Sequence, residues 1–219
     1  MNKAICASVI ALTAGSALAG TNDILVEIHG EIWGNQLRVS SLATVNPGDT
    51  MTISFELDSA NFLNSANFPT RGYEIDQASY VINFSGGQSI GLLNPWVDPV
   101  APYFVIRESD PVSDGFFMAP NLDYPYPNLD LNENGQLGPL NQRFDVSYEG
   151  STLTTLNIID AVGSYDYTGL QVFGLGIGDG FVDDVVGIDY TGMTISYIPA
   201  PASIVGLVSV GLFAARRRR

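Results

Sequence analysis

The chain is poor in the side chains from which most catalytic centres are built. It has one cysteine, Cys6, one histidine, His29, and one lysine, Lys3. Beyond the N-terminus there is neither thiol nor ammonium group, which removes Cys–His nucleophile systems. A solitary His29 removes a Ser-His-Asp relay unless it serves alone, and it removes zinc sites, which need three or four clustered ligands. Cations are as scarce. Away from the two ends, Arg38, Arg71, Arg107 and Arg143 face twenty-three Asp and Glu, a formal charge of −19. Such a surface repels nucleic acid and anionic lipid, so no nucleic-acid partner is expected; the charge favours solubility and attracts divalent cations. Long apolar runs are missing as well. The longest, Ala202 to Ala215, would make a helix of roughly 21 Å, short of the ~30 Å of a hydrocarbon core.

That run lies in the tail IPAPASIVGLVSVGLFAARRRR, residues 198–219. A buried strand would be unusually long and would lack alternation of apolar and polar residues. Arg216, Arg217, Arg218 and Arg219 follow the run directly, and positive flanks stay cytoplasmic. The expectation is a short transmembrane-like helix that stops in the membrane. The N-terminus matches this with Lys3, an apolar stretch from Ala4 and the small-x-small triplet Ala17-Leu18-Ala19, the pattern of a signal peptide over residues 1–19.

Pro199-Ala200-Pro201, the small residues Ala202 and Ser203, the apolar run and the four arginines occur together in order. This tail resembles the PEP-CTERM sorting domain of Gram-negative bacteria, with Ala200 standing where that family has Glu. The resemblance implies processing by signal peptidase and by an exosortase-like membrane protease-transpeptidase. It also implies transient membrane contact and delivery to the cell surface or extracellular polymer. The stretches NPGDTMTISFELDS, NFPTRGYEIDQASYVINF and DYTGLQVF, in this order, look like the ectodomains of uncharacterised secreted proteins of that type. No activity comes with the likeness.

The body, residues 20–197, is long enough for one domain with a sizeable core. After the turn NPGD, Met51, Ile53, Phe55 and Leu57 alternate with Thr52, Ser54 and Glu56, the period of a half-buried strand. Similar alternation marks Ile24 to Ile28, Ala78 to Phe84 and Phe144 to Tyr148; Tyr103 to Arg107 and Phe116 to Met118 read as further strands. Only residues 154–162 could form a helical turn or two. Short strands punctuated by Gly, Pro, Asn and Asp predict an all-β, antiparallel β-sandwich of jelly-roll type. Asp166-Tyr167-Thr168-Gly169 recurs as Asp189-Tyr190-Thr191-Gly192, each read as a turn leading into a strand.

Three candidate chemistries remain. Asp130, Asn132 and Asn134 hold positions 1, 3 and 5 of a Ca²⁺ loop and Gly135 the sharp turn, although Asn141 stands where a bidentate Glu belongs. Trp96, Tyr103, Tyr124 and Tyr126 lie among prolines, where exposed rings could stack on a polysaccharide. Glycoside hydrolysis needs only two carboxylates about 5–10 Å apart. The densest pair, Asp183-Asp184, is excluded as a dyad because neighbours in a strand point to opposite faces. No residue reads as catalytic. The sequence favours a structural or glycan-binding component over a carboxylate-based polysaccharide enzyme.

Overall fold

A computed structural model of the protein describes residues 22–96, 101–108, 113–122, 128–149, 152–167, 176–180 and 184–199. The expected signal peptide, the apolar tail, Ala200, Pro201, Arg216 to Arg219, Tyr124, Tyr126 and Asp183 lie outside these residues. Among the described residues no helix is long and apolar enough to cross a membrane.

The described body is all-β. Its strands are β1 (Ile24–Asn35), β2 (Thr50–Asn64), β3 (Thr70–Ile75), β4 (Val81–Phe84), β5 (Ser89–Gly91), β6 (Tyr103–Arg107) and β7 (Ser113–Ala119), followed by β8 (Leu129–Asn134), β9 (Pro139–Arg143), β10 (Asp145–Glu149), β11 (Gly163–Asp166), β12 (Gly176–Asp179) and β13 (Asp184–Tyr197). Two single 3-10 turns, Ser41–Thr44 and Ile158–Ala161, are the helical content described, so residues 154–162 do supply the expected turn, but they are not alone: Ser40 Oγ accepts the Leu42 N–H and caps a second turn that was not expected. Every pairing is antiparallel.

The centre is a three-stranded ribbon in which β1 lies between β2 and β13. Alternation made this legible: Ile24, Val26, Ile28 and Ile32 point inward and are almost fully buried, as are Met51, Ile53, Phe55 and Leu57 opposite them. Each such side chain contributes about 1.5–3 kcal/mol by leaving water, enough to fix the register, since a one-residue slip would expose them all. The ribbon forks on both sides. The first half of β2 pairs with β4 and the second with β3, while β13 pairs with β12 near its start and with β11 near its end. A bridge between Leu92 and Leu131, reinforced by Leu93 N–H donating to the Asp130 carbonyl at 3.0 Å, joins the end of β5 to β8. The path β1-β2-β4-β5-β8-β9-β12-β13 thereby returns to β1. The antiparallel all-β class is thus as expected, and hydrogen bonding runs through one curled sheet.

Aromatic rings fill the interior. Phe55 packs on Phe104 at 5.5 Å, Phe104 stacks on Phe116 at 5.7 Å, and Phe116 meets Tyr165 edge-on at 4.9 Å. The described parts of the two Asp-Tyr-Thr-Gly copies meet here; Thr168 and Gly169 lie outside the described residues, and the second copy differs from the turn expected of it. Asp166 ends β11, Asp189 lies inside β13, and Tyr167 N–H donates to the Thr191 carbonyl at 3.1 Å. Thr191 is the extra residue of a β-bulge, because β1 pairs His29 with Gly192 and the adjacent Gly30 with Tyr190. Tyr167 and Tyr190 both turn inward onto Phe144, at 6.3 and 5.2 Å. A second, smaller cluster of Tyr103, Val105, Phe117, Ala119 and Leu122 covers the other side of β6, whose residues Tyr103 to Ile106 are all buried. Ala78, expected in a strand, is exposed in the turn that Ser79 N–H closes onto the Asp76 carbonyl.

Candidate functional site

The tail motif can be followed as far as its first proline. Pro199 is exposed, one residue beyond Ile198, whose N–H donates to the Asp23 carbonyl at 2.9 Å. Pro199 is thus one residue past the backbone bond that joins this end of β13 to Asp23, just ahead of β1.

Of the four aromatic candidates only Trp96 and Tyr103 are described, and neither is the exposed ring that its proline-rich surroundings suggested. Tyr103 is the first residue of β6 and only 6% exposed, its ring enclosed by Leu122 and Phe117, so neither face is free to stack on a sugar. Burial, and then the nearby Glu74 carboxylate, raise its hydroxyl above the ordinary tyrosine range. Trp96 is partly buried and packs against the main core. Both residues extend the interior into a loop.

The candidate calcium residues are a strand instead of a loop. Asp130, Asn132 and Asn134 occupy β8, where alternate residues are about 7 Å apart along a line, so their oxygens do not curl around one point. Asn132 Oδ1 accepts the Gly91 N–H at 3.2 Å, and Asp130 is engaged as well. The hairpin that follows has the polarity opposite to a cation loop. Gln136 N–H and Leu137 N–H both donate to the carboxylate of Asp179, the latter at 2.9 Å. Asp179 is 2% exposed and fits only because Gly135 has no Cβ, which would otherwise fall on the carboxylate carbon. The turn surrounds an anion supplied by β12. Among the described residues no group of three or more His, Cys, Asp or Glu is placed to hold a metal ion. We therefore expect Ca²⁺ and Mg²⁺ at matched ionic strength to raise the melting temperature equally, by screening the acidic surface, in both wild type and Asp130→Ala. A Ca²⁺-selective rise lost in the variant would overturn this.

The arginines of the body are largely committed within it. Arg107 Nη2 lies 3.1 Å from Asp145 Oδ1 and 2.6 Å from Ser147 Oγ, crossing from β6 to β10. Burial raises the Asp145 carboxyl more than Arg107 lowers it, so the ion pair is not a net source of stability. Arg71 lies over the Phe62 ring and donates to Asn64, and Arg143 donates to Asn141 and to the Gly180 carbonyl. Arg38 is exposed.

One exposed aromatic had no signal in the sequence analysis. Trp33 is 56% exposed on the outer face of β1, between the inward residue Ile32 and Gly34. It is the unpaired residue of a second bulge, because Ile32 pairs with Ile188 and Gly34 with Gly187. A Cβ on Gly187 would fall well inside contact distance of Trp33 Cε2, with Cζ2 and Nε1 next nearest. Because the ring-fusion carbon is nearest and its edge neighbours follow, the indole rests face-down on the glycine and its opposite face is turned to solvent. On the same side, Glu31 and Asp189 are paired across β1 and β13, both exposed. The period-2 pattern marks Ile32 as inward and Trp33 as outward, but only the bulge and the distant Gly187 make the ring lie flat.

No protein-family model, no curated protein and no solved structure matches the chain.

Proposed function

We propose that the protein is exported and acts at the cell surface or in the extracellular matrix as a structural or glycan-binding component, with no catalytic role. Signal peptidase would remove residues 1–19, and an exosortase-like enzyme would act on the tail after its apolar segment has entered the membrane. The observation that carries this reading is the exposed Pro199, two residues after the end of the last strand, so that the first residue of the motif lies outside the sheet. The acidic surface suits a domain that must stay soluble outside the cell. The curled sheet is consistent with a jelly-roll-like sandwich, a shape that offers broad outer faces for contact with polymer.

Replacing Arg216 to Arg219 with Ser removes the charge that retains the C-terminus inside. The variant is expected to leak into the medium with its tail uncut, as measured by intact mass. A variant that still ends near Pro201 and fractionates as wild type would defeat the sorting role of the arginines.

A second reading, a carboxylate-based polysaccharide-active enzyme, draws on Glu31 facing Asp189. Residues paired across two strands have Cβ atoms about 5 Å apart, within reach of the spacing of a retaining glycosidase. Reducing ends released from a polysaccharide panel by wild type and not by Glu31→Gln would establish it.

A further inference from the structure

We infer that Trp33, seated on Gly187 and flanked by Glu31 and Asp189, is a binding platform for a neutral hexose polymer; the inference rests on the surface-component reading and names its ligand class. Four observations converge. A large aromatic ring is more than half exposed, although burying it would stabilise the fold. It is held in one orientation by a bulge that turns it sideways and by a glycine that gives it a floor, so little mobility remains to be lost on binding. Its free face is flat and apolar, matching the C–H face of a sugar ring. Directly beside it, along both strands, stand carboxylates that can accept hydrogen bonds from sugar hydroxyls, and such charge-assisted bonds are the stronger kind.

The same surroundings select among ligands. An anionic polymer or phosphate would meet Glu31 and Asp189, while Arg71, Arg107 and Arg143 are engaged elsewhere. A protein partner draws on a broader apolar centre depleted of charge, whereas the strand neighbours of Trp33 are two acids and a glycine. A neutral, hydroxyl-rich chain satisfies both the ring and the carboxylates. Repeated weak contacts along a polymer would add through many protein copies on one strand.

The test uses the full chain in native gels containing dextran or hydroxyethyl cellulose, with alginate as the anionic comparison. Wild type should be retarded by a neutral polymer, and Trp33→Ala and Gly187→Ala should each bind about tenfold more weakly. Gly187→Ala keeps the indole but displaces it, which separates ring position from ring presence. Since the chain has two tryptophans, Trp96→Phe leaves Trp33 as the sole reporter, and its emission should shift to shorter wavelength as polymer is added. Melting curves check folding; if Gly187→Ala is destabilised, Trp33→Ala decides. Unchanged retardation in Trp33→Ala, retardation by alginate alone, or none by either neutral polymer overturns the inference. So does loss of a wild-type dimer in Trp33→Ala with retardation intact, which would make the ring a contact between copies. A surface-located chain that no neutral polymer retards defeats the site alone; a retarded chain that stays in the cytoplasm defeats export alone.

Discussion

Above about pH 10 the protein is expected to unfold in one steep alkaline step. Tyr80, Tyr148, Tyr167 and Tyr190 are buried, and burial raises each hydroxyl well above its ordinary range, with neighbouring tyrosines adding to the rise for Tyr80 and Tyr167. Gln142 links two of them, donating to Tyr190 Oη at 3.0 Å and accepting from Tyr80 Oη at 3.5 Å. Tyr148 and Tyr167 perturb one another, yet neither hydroxyl makes a well-formed hydrogen bond. A group whose pKa is higher in the folded state gives stability that is complete below the unfolded value. That stability is lost as pH rises above it. Each such tyrosine therefore removes about 1.4 kcal/mol per pH unit above ~10, and the four together roughly 5–6 kcal/mol per unit. Against a net stability of about 5–15 kcal/mol, roughly one to three pH units suffice. Tyrosinate absorbance and far-ultraviolet circular dichroism, followed together, should show exposed tyrosines ionising first and the buried set only as the sheet is lost. Tyr167→Phe should move the midpoint upward. Complete ionisation near pH 10 with the dichroism unchanged would refute this account of the core.

The second large effect is expected at Asp179. Truncation to Ala leaves Gln136 N–H and Leu137 N–H without their acceptor in a site where the carboxylate is almost wholly enclosed. Hydrogen bonds to a charged group contribute about 1.5–3 kcal/mol each, so a loss of roughly 3 kcal/mol is expected, or about 6–12 °C in melting temperature for a domain of this size. Asp179→Asn keeps one acceptor and should recover part of it. Gly135→Ala should mimic the loss without touching the acid, because its Cβ would occupy the carboxylate's position. Hydrogen exchange gives the local readout: the two hairpin amides should lose protection in Asp179→Ala while the amides of β1 keep theirs. A melting temperature within about a degree of wild type would mean that water replaces the carboxylate at little cost.

The sequence disclosed what depends on near neighbours. Alternation from Met51 to Leu57 and from Ile24 to Ile28 reports which face meets the core, and β2 and β1 follow it. It does not report partners, so nothing announced that the first strand pairs with the last. Asp189-Tyr190-Thr191-Gly192 looks like a turn because Asp and Gly favour turns, but β1 and β11 on either side hold it in a bulged strand. The Asp130 spacing is open to two readings for a similar reason: oxygens at alternate residues suit a curled loop or one face of a strand equally, and Leu129 and Leu131 pointing inward mark these residues as strand. Trp33 on Gly187 and Asp179 under Gly135 join residues far apart in the chain, each through a glycine whose meaning is visible only when its neighbour is in place.

The pairing of Ile24 with Tyr197 also sets a timetable for folding. During synthesis from the N-terminus, β1 emerges before the other described strands and must wait for β13, the last of them, before its second edge is covered. Contacts of such wide sequence separation form slowly, and until they do the inward row of β1 has lining from β2 alone. A chain truncated anywhere before Asp184 never acquires the strand that β1, β11 and β12 all share, so the described sheet closes only with its final strand.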